Sequence, residues 1–144
     1  MMNKGPGGRI LRRIVDLGFY PEAELYRPPR GAAERTHEIP LPAGERLTIR
    51  VQEYRGKTVD FAITQQTPAK RRWSSVARID CCGGTIHEHL FDRFGNKLKD
   101  HKWICDIPSG QAGWEVVHAK YPEAYEMMEK NWEDNLRRWS GDSN

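Results

Sequence analysis

The sequence predicts one small α+β domain: an antiparallel meander of about five strands, an N-terminal arm with a short helix, and C-terminal helices packed on one face. The length of 144 residues is close to the commonest size of a single domain. In the middle of the chain, apolar and polar residues alternate and short turns separate the runs, as in antiparallel hairpins. Near the end, apolar residues recur at helical spacing, which predicts an amphipathic helix.

The first 44 residues are predicted to be a basic, Pro-rich arm, and residues 45–144 the α+β domain. Within the arm, five apolar residues recur at helical spacing before a plausible stop at Gly18: Ile10, Leu11, Ile14, Val15 and Leu17. The stretch after this short helix is rich in Pro and Arg, so we expect it to be extended and irregular.

Two strands follow, each with three alternating apolar residues: Leu47, Ile49 and Val51 in one, and Val59, Phe61 and Ile63 in the other. For both sets to face one core, Val51 must pair with Val59. This register leaves a three-residue loop, residues 54–56, in which Gly56 takes the left-handed position that such loops require.

A third strand is predicted over residues 73–82, with alternate residues on its core face: Trp73, Ser75, Ala77, Ile79 and Cys81. Gly83-Gly84 makes a two-residue turn, which is a strong hairpin signal. The fourth strand is expected over residues 85–92, and the fifth over residues 97–105 after a turn at residues 93–96.

The C-terminal region is predicted to hold two helices. Ser109 can cap a short first helix, and Pro122 suits the first turn of a second. The second helix has one apolar stripe, made of Tyr125, Met128, Trp132, Leu136 and Trp139.

The Gly83-Gly84 turn fixes a register that gathers four reactive side chains. It places Asp80 opposite His87 and Arg78 opposite His89, and all four share one face because residues two apart in a strand point the same way. The same register places Glu88 on the core face, which is unusual for an acid.

These four residues could cleave RNA without a metal. Two histidines can serve as base and acid near neutral pH, a carboxylate can orient an imidazole, and an arginine can hold a phosphate and stabilise its developing charge. The 2′-hydroxyl of the RNA would be the nucleophile. The residues therefore predict a catalytic set of Arg78, Asp80, His87 and His89 that needs no cofactor.

Two other interpretations of the same residues stay open at this point. The His87-x-His89 pair could bind a metal ion with Asp80 in a three-ligand site, or with Asp80 and His101 in a four-ligand site. Alternatively, these side chains could simply pair with one another on a solvated face of the sheet.

The charge pattern favours a polyanionic partner. The net charge is only +3, but basic residues cluster locally, and these are the candidate nucleic-acid contacts: Arg9, Arg12, Arg13, Lys70, Arg71, Arg72 and Arg93. The three cysteines have no CxxC spacing, which argues against a disulfide framework or a Cys-rich zinc site. No apolar run approaches the ~20 residues that a membrane span needs, so we expect a cytoplasmic protein without membrane contact.

The hairpin also resembles a known group. Its Arg78-Ile-Asp80-Cys-Cys-Gly-Gly-Thr-Ile-His87-Glu-His89 stretch, followed by Asp92-Arg-Phe-Gly95, is similar to a motif of small uncharacterised bacterial and phage proteins, and the Asn131–Trp139 ending resembles their C-terminal helix. A more distant likeness to TumE-type toxins of toxin–antitoxin pairs implies an RNase-like α+β fold. The resemblance covers about residues 45–140, and Cys82 stands where the related hairpins have a His.

The leading hypothesis is therefore a toxin-like or phage-defence-related, metal-independent endoribonuclease, with RNA as substrate and an antitoxin or a larger protein complex as partner. The alternative is a non-catalytic subunit or inhibitor that binds nucleic acid or protein in a nucleoprotein complex. In that case the basic arm, Arg71 and Arg72 would matter more than the histidines.

Overall fold

A six-stranded antiparallel sheet and one long helix make up the computed structural model, which describes residues 24–99 and 102–141. The strands follow the chain in the order β1 to β6, as a meander. They are β1 (Ala33–Pro40), β2 (Arg46–Tyr54), β3 (Lys57–Ala69), β4 (Arg72–Cys82), β5 (Thr85–Leu90) and β6 (Lys102–Asp106), and the helix is α1 (Gln111–Ser140).

The α+β class and the antiparallel meander are confirmed, but the sheet has one strand more than predicted. The additional strand is β1, which lies inside the predicted arm and pairs along β2 from Ala33 to Pro40. Its side chains are almost all exposed, so it lacks the apolar alternation by which a strand is recognised. The short helix predicted at residues 10–17 lies outside the described residues.

The β2–β3 hairpin differs from the predicted register. Its turn has two residues, Arg55 and Gly56, whose φ angles of 51° and 78° are those of a type I′ turn. Val51 therefore pairs with Phe61 rather than with Val59. A β-bulge next to the turn makes Val59 an extra residue and still leaves it fully buried.

A second bulge corrects the predicted faces of β4. Gln65 pairs with Ala77 and Gln66 with Ser75, so Val76 is the inserted residue. Before the bulge the alternation is reversed, and Trp73 and Ser75 leave the core face. Trp73 is instead an exposed residue whose ring packs 3.8 Å from the guanidinium carbon of Arg46.

The β4–β5 hairpin has the predicted register. Gly83 and Gly84, with φ angles of 62° and 81°, form the two-residue turn, and every predicted pair from Cys82–Thr85 to Arg78–His89 is present. Beyond it, β6 is shorter than the predicted fifth strand. It begins at Lys102, and residues 91–98 form a turn closed by a single bridge between Phe91 and Lys97.

One continuous helix replaces the two predicted C-terminal helices. It starts after Gly110 rather than Ser109 and runs through Pro122 to Ser140. Its buried residues, which lie on one face before and after the proline, are Gly113, Val117, Ala124 and Met128. Packing of this face on the sheet outweighs the ~3 kcal/mol that an interior proline costs a helix. No helix in the described part of the chain is long and apolar enough to cross a bilayer.

The helix covers only one face of the sheet, the core face. Buried apolar side chains of the strands line it, among them Leu47, Ile49, Val51, Phe61, Ile63, Ala77, Ile79 and Ile86. Gln65 of β3 ties the two layers together, because it donates to the carbonyl of Trp132 and accepts from Asn135. We call the opposite face the polar face; it carries Thr48, Arg50, Asp60, Thr64, Arg78, Asp80, His87 and His89.

Candidate functional site

The four residues predicted as catalytic lie together on the polar face, at the centre of the β4–β5 hairpin. Asp80 is paired with His87 and Arg78 with His89. The two imidazole rings contact each other edge to face, with centroids 4.3 Å apart. The side chains of His87, His89 and Asp80 are only 10%, 13% and 16% exposed, so the cluster is largely buried and is not a solvated surface.

A single carboxylate oxygen lies between the two histidines. Oδ1 of Asp80 is 3.7 Å from Nε2 of His87 and 3.6 Å from Nε2 of His89. This oxygen is buried and accepts no hydrogen bond. A buried carboxylate oxygen without a donor is uncommon in proteins, since it loses the hydration of its charge without compensation.

Thr85 determines how His87 presents its nitrogens. The Thr85 hydroxyl lies 3.1 Å from the carbonyl oxygen of Cys82, to which it donates, and 2.9 Å from Nδ1 of His87. A hydroxyl has one hydrogen, so at His87 the hydroxyl must accept. In the arrangement in which the hydroxyl donates to the Cys82 carbonyl, Nδ1 of His87 carries a proton and the lone pair of the neutral ring is on Nε2, beside Asp80.

Arg78 lies at the edge of this cluster. Its Nε donates to the hydroxyl of Thr64 at 3.2 Å, and its guanidinium carbon is 5.3 Å from the centroid of the Phe91 ring. These contacts hold the guanidinium on the same face as His89, the residue paired with Arg78.

A second acidic group on the polar face is Asp60, on β3. Arg50 donates to Asp60 with an Nη1–Oδ2 distance of 2.9 Å. Burial raises the pKa of the Asp60 carboxyl, the Arg50 guanidinium opposes the rise, and the nearby charge of Asp80 adds to it. Asp60 therefore lies on the same face as Asp80, and Arg50 neutralises part of its charge.

Two residues of the site were missed by the sequence argument. Thr85 was treated only as the first residue after the turn, although a hydroxyl two positions before a histidine on the same face could have indicated it. Trp103 of β6 pairs with His87, and its side chain is 59% exposed. Its position could not be predicted because 11 residues separate β5 from β6 and the β5–β6 register shifts at a bulge.

The predicted nucleic-acid contacts do not join the cluster. Arg9, Arg12 and Arg13 lie outside the described residues. Lys70, Arg71 and Arg72 are exposed at the β3–β4 turn, at the far end of β4 and about 26 Å from Asp80 at the usual rise per residue of a strand. Arg93 is exposed in the turn after β5, where its guanidinium lies near the Phe94 ring.

The remaining reactive groups of the hairpin have structural surroundings. Burial raises the pKa of the Cys81 thiol, so Cys81 is a core residue and a poor nucleophile. Glu88 lies on the core face opposite Ile79, as the register predicted, and burial raises its pKa. His101, the fourth ligand considered for a metal site, lies outside the described residues.

The comparisons with known proteins identify a family but no activity. The model of a family described as a domain of unknown function, DUF7718, matches residues 32–144. The chain belongs to this family. No curated protein and no solved structure matches it. The matched region begins one residue before β1, so it takes in the whole sheet, the site and the helix.

Proposed function

We propose that this protein is a toxin-like or phage-defence-related endoribonuclease whose active site is the cluster of Arg78, Asp80, His87 and His89. The observation that carries the proposal is the approach of both histidine Nε2 atoms to one buried oxygen of Asp80, at 3.7 and 3.6 Å. A carboxylate in this position can orient both imidazole rings and accept a hydrogen bond from whichever Nε2 carries a proton.

The residues can divide the chemistry of RNA cleavage between them. His87, with its Nδ1 proton held by Thr85, takes the proton of the 2′-hydroxyl at Nε2. The 2′ oxygen attacks the adjacent phosphorus, and the P–O5′ bond breaks. His89, in its protonated form, gives its proton to the leaving 5′ oxygen, while Arg78 stabilises the charge on the phosphorane.

Trp103 adds a means of holding the substrate. Its ring is exposed next to His87, and Nε1 donates to the carboxylate of Asp106 at 3.0 Å, which fixes the ring orientation. Exposed aromatic rings bind single-stranded nucleic acids by stacking on the bases, at about 1–3 kcal/mol per base. A base stacked on Trp103 would place the neighbouring phosphate near the histidines.

The test compares an RNA oligonucleotide with DNA of the same sequence, because DNA lacks the 2′-hydroxyl. We expect RNA cleavage to leave cyclic phosphate ends, DNA to remain intact, and cleavage to continue in a chelator. His87→Ala and His89→Ala should each lower the rate by about 10²–10⁴-fold, whereas His37→Ala, on the exposed strand β1, should not change it. Cleavage of the DNA, or equal rates in all the variants, would refute the proposal.

A substitution of Cys82 tests the proposal through an expected gain of activity. It is exposed at the turn, on the same face as Asp80 and directly opposite Thr85. If the His of the related hairpins takes part in catalysis, Cys82→His should increase the cleavage rate, and Cys82→Ser should leave it unchanged.

A second candidate function is a non-catalytic subunit or inhibitor that binds nucleic acid or protein. The observation that favours it is the low exposure of His87, together with the exposed basic turn at residues 70–72. In this case, Arg71→Ala and Arg72→Ala should weaken binding of RNA or of a protein partner, such as an antitoxin, and the histidine variants should bind normally.

A further inference from the structure

We propose that Asp80, His87 and His89 form a binding site for a divalent transition-metal ion of the Zn²⁺ class. They are the one set of three or more His, Cys, Asp or Glu side chains in residues 24–99 and 102–141 whose ligand atoms all lie within 4.8 Å of one another. The inference goes beyond the proposed ribonuclease, because ion binding does not require that RNA be cleaved.

The spacing of the three atoms fits a tetrahedral ion. Ligands at ~2.0–2.1 Å from a tetrahedral zinc ion lie about 3.3 Å from one another. The two distances from Oδ1 of Asp80 to the imidazole Nε2 atoms, 3.7 and 3.6 Å, exceed this by only a few tenths of an ångström. One ligand atom from each of the three residues lies within 4.8 Å of the other two.

The donor set selects the kind of ion. Two imidazole nitrogens and one carboxylate oxygen are ligands that Zn²⁺ and its first-row neighbours prefer, whereas Mg²⁺ and Ca²⁺ are bound by oxygen alone. The unsatisfied oxygen of Asp80 supplies independent support. It is a buried acceptor without a donor, and a cation bound between it and the two Nε2 atoms would satisfy it.

Thr85 contributes the outer-sphere contact that such sites require. A histidine that binds a metal through one ring nitrogen commonly donates from the other, which fixes its tautomer and orientation. The Thr85 hydroxyl accepts from Nδ1 of His87 at 2.9 Å and is itself fixed by donation to the Cys82 carbonyl. Nε2 of His87 is therefore in the form that binds a metal before any ion arrives.

Ion binding would regulate the proposed ribonuclease, and this consequence alone rests on the proposed function. The ion and the transferred proton need the same lone pairs on Nε2 of His87 and His89. An enzyme that uses these nitrogens as acid and base is therefore inhibited when Zn²⁺ is bound to them. Three protein ligands leave one tetrahedral position open, where water or a phosphate oxygen could bind.

The test measures Zn²⁺ binding to the full-length chain by calorimetry, and Co²⁺ binding by visible absorption. We expect one ion per chain. His87→Ala, His89→Ala and Asp80→Asn should each lower the affinity about 100-fold or more, and Thr85→Val about tenfold. His37→Ala and Cys82→Ser are the matched controls and should bind as the wild type does. Asp80→Asn keeps the size of the side chain, so far-UV circular dichroism can verify that it is folded.

The outcomes separate this inference from the proposed function. Failure of the wild type to bind Zn²⁺, or equal affinities in the ligand and control variants, would overturn the metal site, whether or not RNA is cleaved. One ion per chain, lost in the ligand variants, in a protein that cleaves no RNA when it is metal-free would support the metal site and refute the ribonuclease. Stoichiometric binding together with inhibition of RNA cleavage by Zn²⁺ would support both.

Discussion

Thr85 is the residue whose replacement tests the geometry of the site most directly. Its hydroxyl accepts from Nδ1 of His87 while donating to the Cys82 carbonyl, so it should hold His87 in the tautomer protonated at Nδ1. Thr85→Val keeps the branched shape of the side chain and removes both hydrogen bonds. We expect this variant to fold and to release His87 from the imposed tautomer.

The magnitude follows from the buried position of His87. A neutral hydrogen bond contributes about 0.5–1.5 kcal/mol, and a buried donor left without an acceptor costs about 1–3 kcal/mol. Since 1.4 kcal/mol corresponds to a factor of ten, the ratio of the Nδ1-protonated to the Nε2-protonated form of His87 should fall about tenfold in Thr85→Val. The global free energy of unfolding should fall by a similar 1–3 kcal/mol.

The assay is ¹⁵N NMR of the imidazole rings at mildly alkaline pH, because protonated and unprotonated ring nitrogens differ widely in chemical shift. Thr85→Ser retains the hydroxyl and is the control, so His87 should have the same tautomer in it as in the wild type. The reasoning fails if wild-type His87 is protonated at Nε2, or if Thr85→Val and Thr85→Ser give the same spectrum.

Two further predictions concern the stability of the domain. Arg138 donates to the carbonyls of Phe91 and Val76 at 2.8 and 3.0 Å. Arg138→Met should therefore lower the free energy of unfolding, measured in urea, by about 3 kcal/mol, at ~1.5 kcal/mol per charged hydrogen bond. Arg137→Met, at an exposed position, should change it by less than about 0.5 kcal/mol, and equal losses in the two variants would contradict a stabilising role of the Arg138 hydrogen bonds. Burial raises the pKa of Glu88 above its ordinary value of 4.5, so its contribution to stability is complete below that pH and is lost as the pH rises through the raised pKa. Glu88→Gln should therefore gain stability relative to the wild type between acid and neutral pH, and a difference independent of pH would argue against a buried carboxylate.

The sequence predicted the register of the β4–β5 hairpin better than it predicted the rest of the sheet. A two-residue Gly83-Gly84 turn permits only one pairing, so the positions opposite His87 and His89 followed from counting. The β2–β3 register and the outer part of β4 did not follow, because bulges at Val59 and Val76 each insert one residue without any glycine or proline to mark it. An inserted apolar residue can be buried on either side of a bulge, and the alternation of the sequence does not reveal which.

The burial of the histidines could not be predicted from the sequence either. Asp80, His87 and His89 have the composition of a solvated surface, and the pattern alone could not distinguish a surface from a closed site. The prediction of two separate C-terminal helices was wrong for a related reason. Pro122 predicts an end to a helix locally, but whether a helix continues through it depends on packing between distant elements, here between α1 and β3.

The position of the two histidines forces Glu88 into the core, which destabilises the fold. Because side chains alternate along a strand, placing His87 and His89 on the polar face requires that Glu88 point into the core, opposite Ile79. Burial of this carboxylate is unfavourable, and the charges of Lys102 and Arg138 reduce the penalty only in part. Arg138 is the residue that also ties the end of α1 to β4 and to the turn after β5. The C-terminal turn of the helix therefore stabilises, from the core face, the β4–β5 hairpin whose other face carries both histidines.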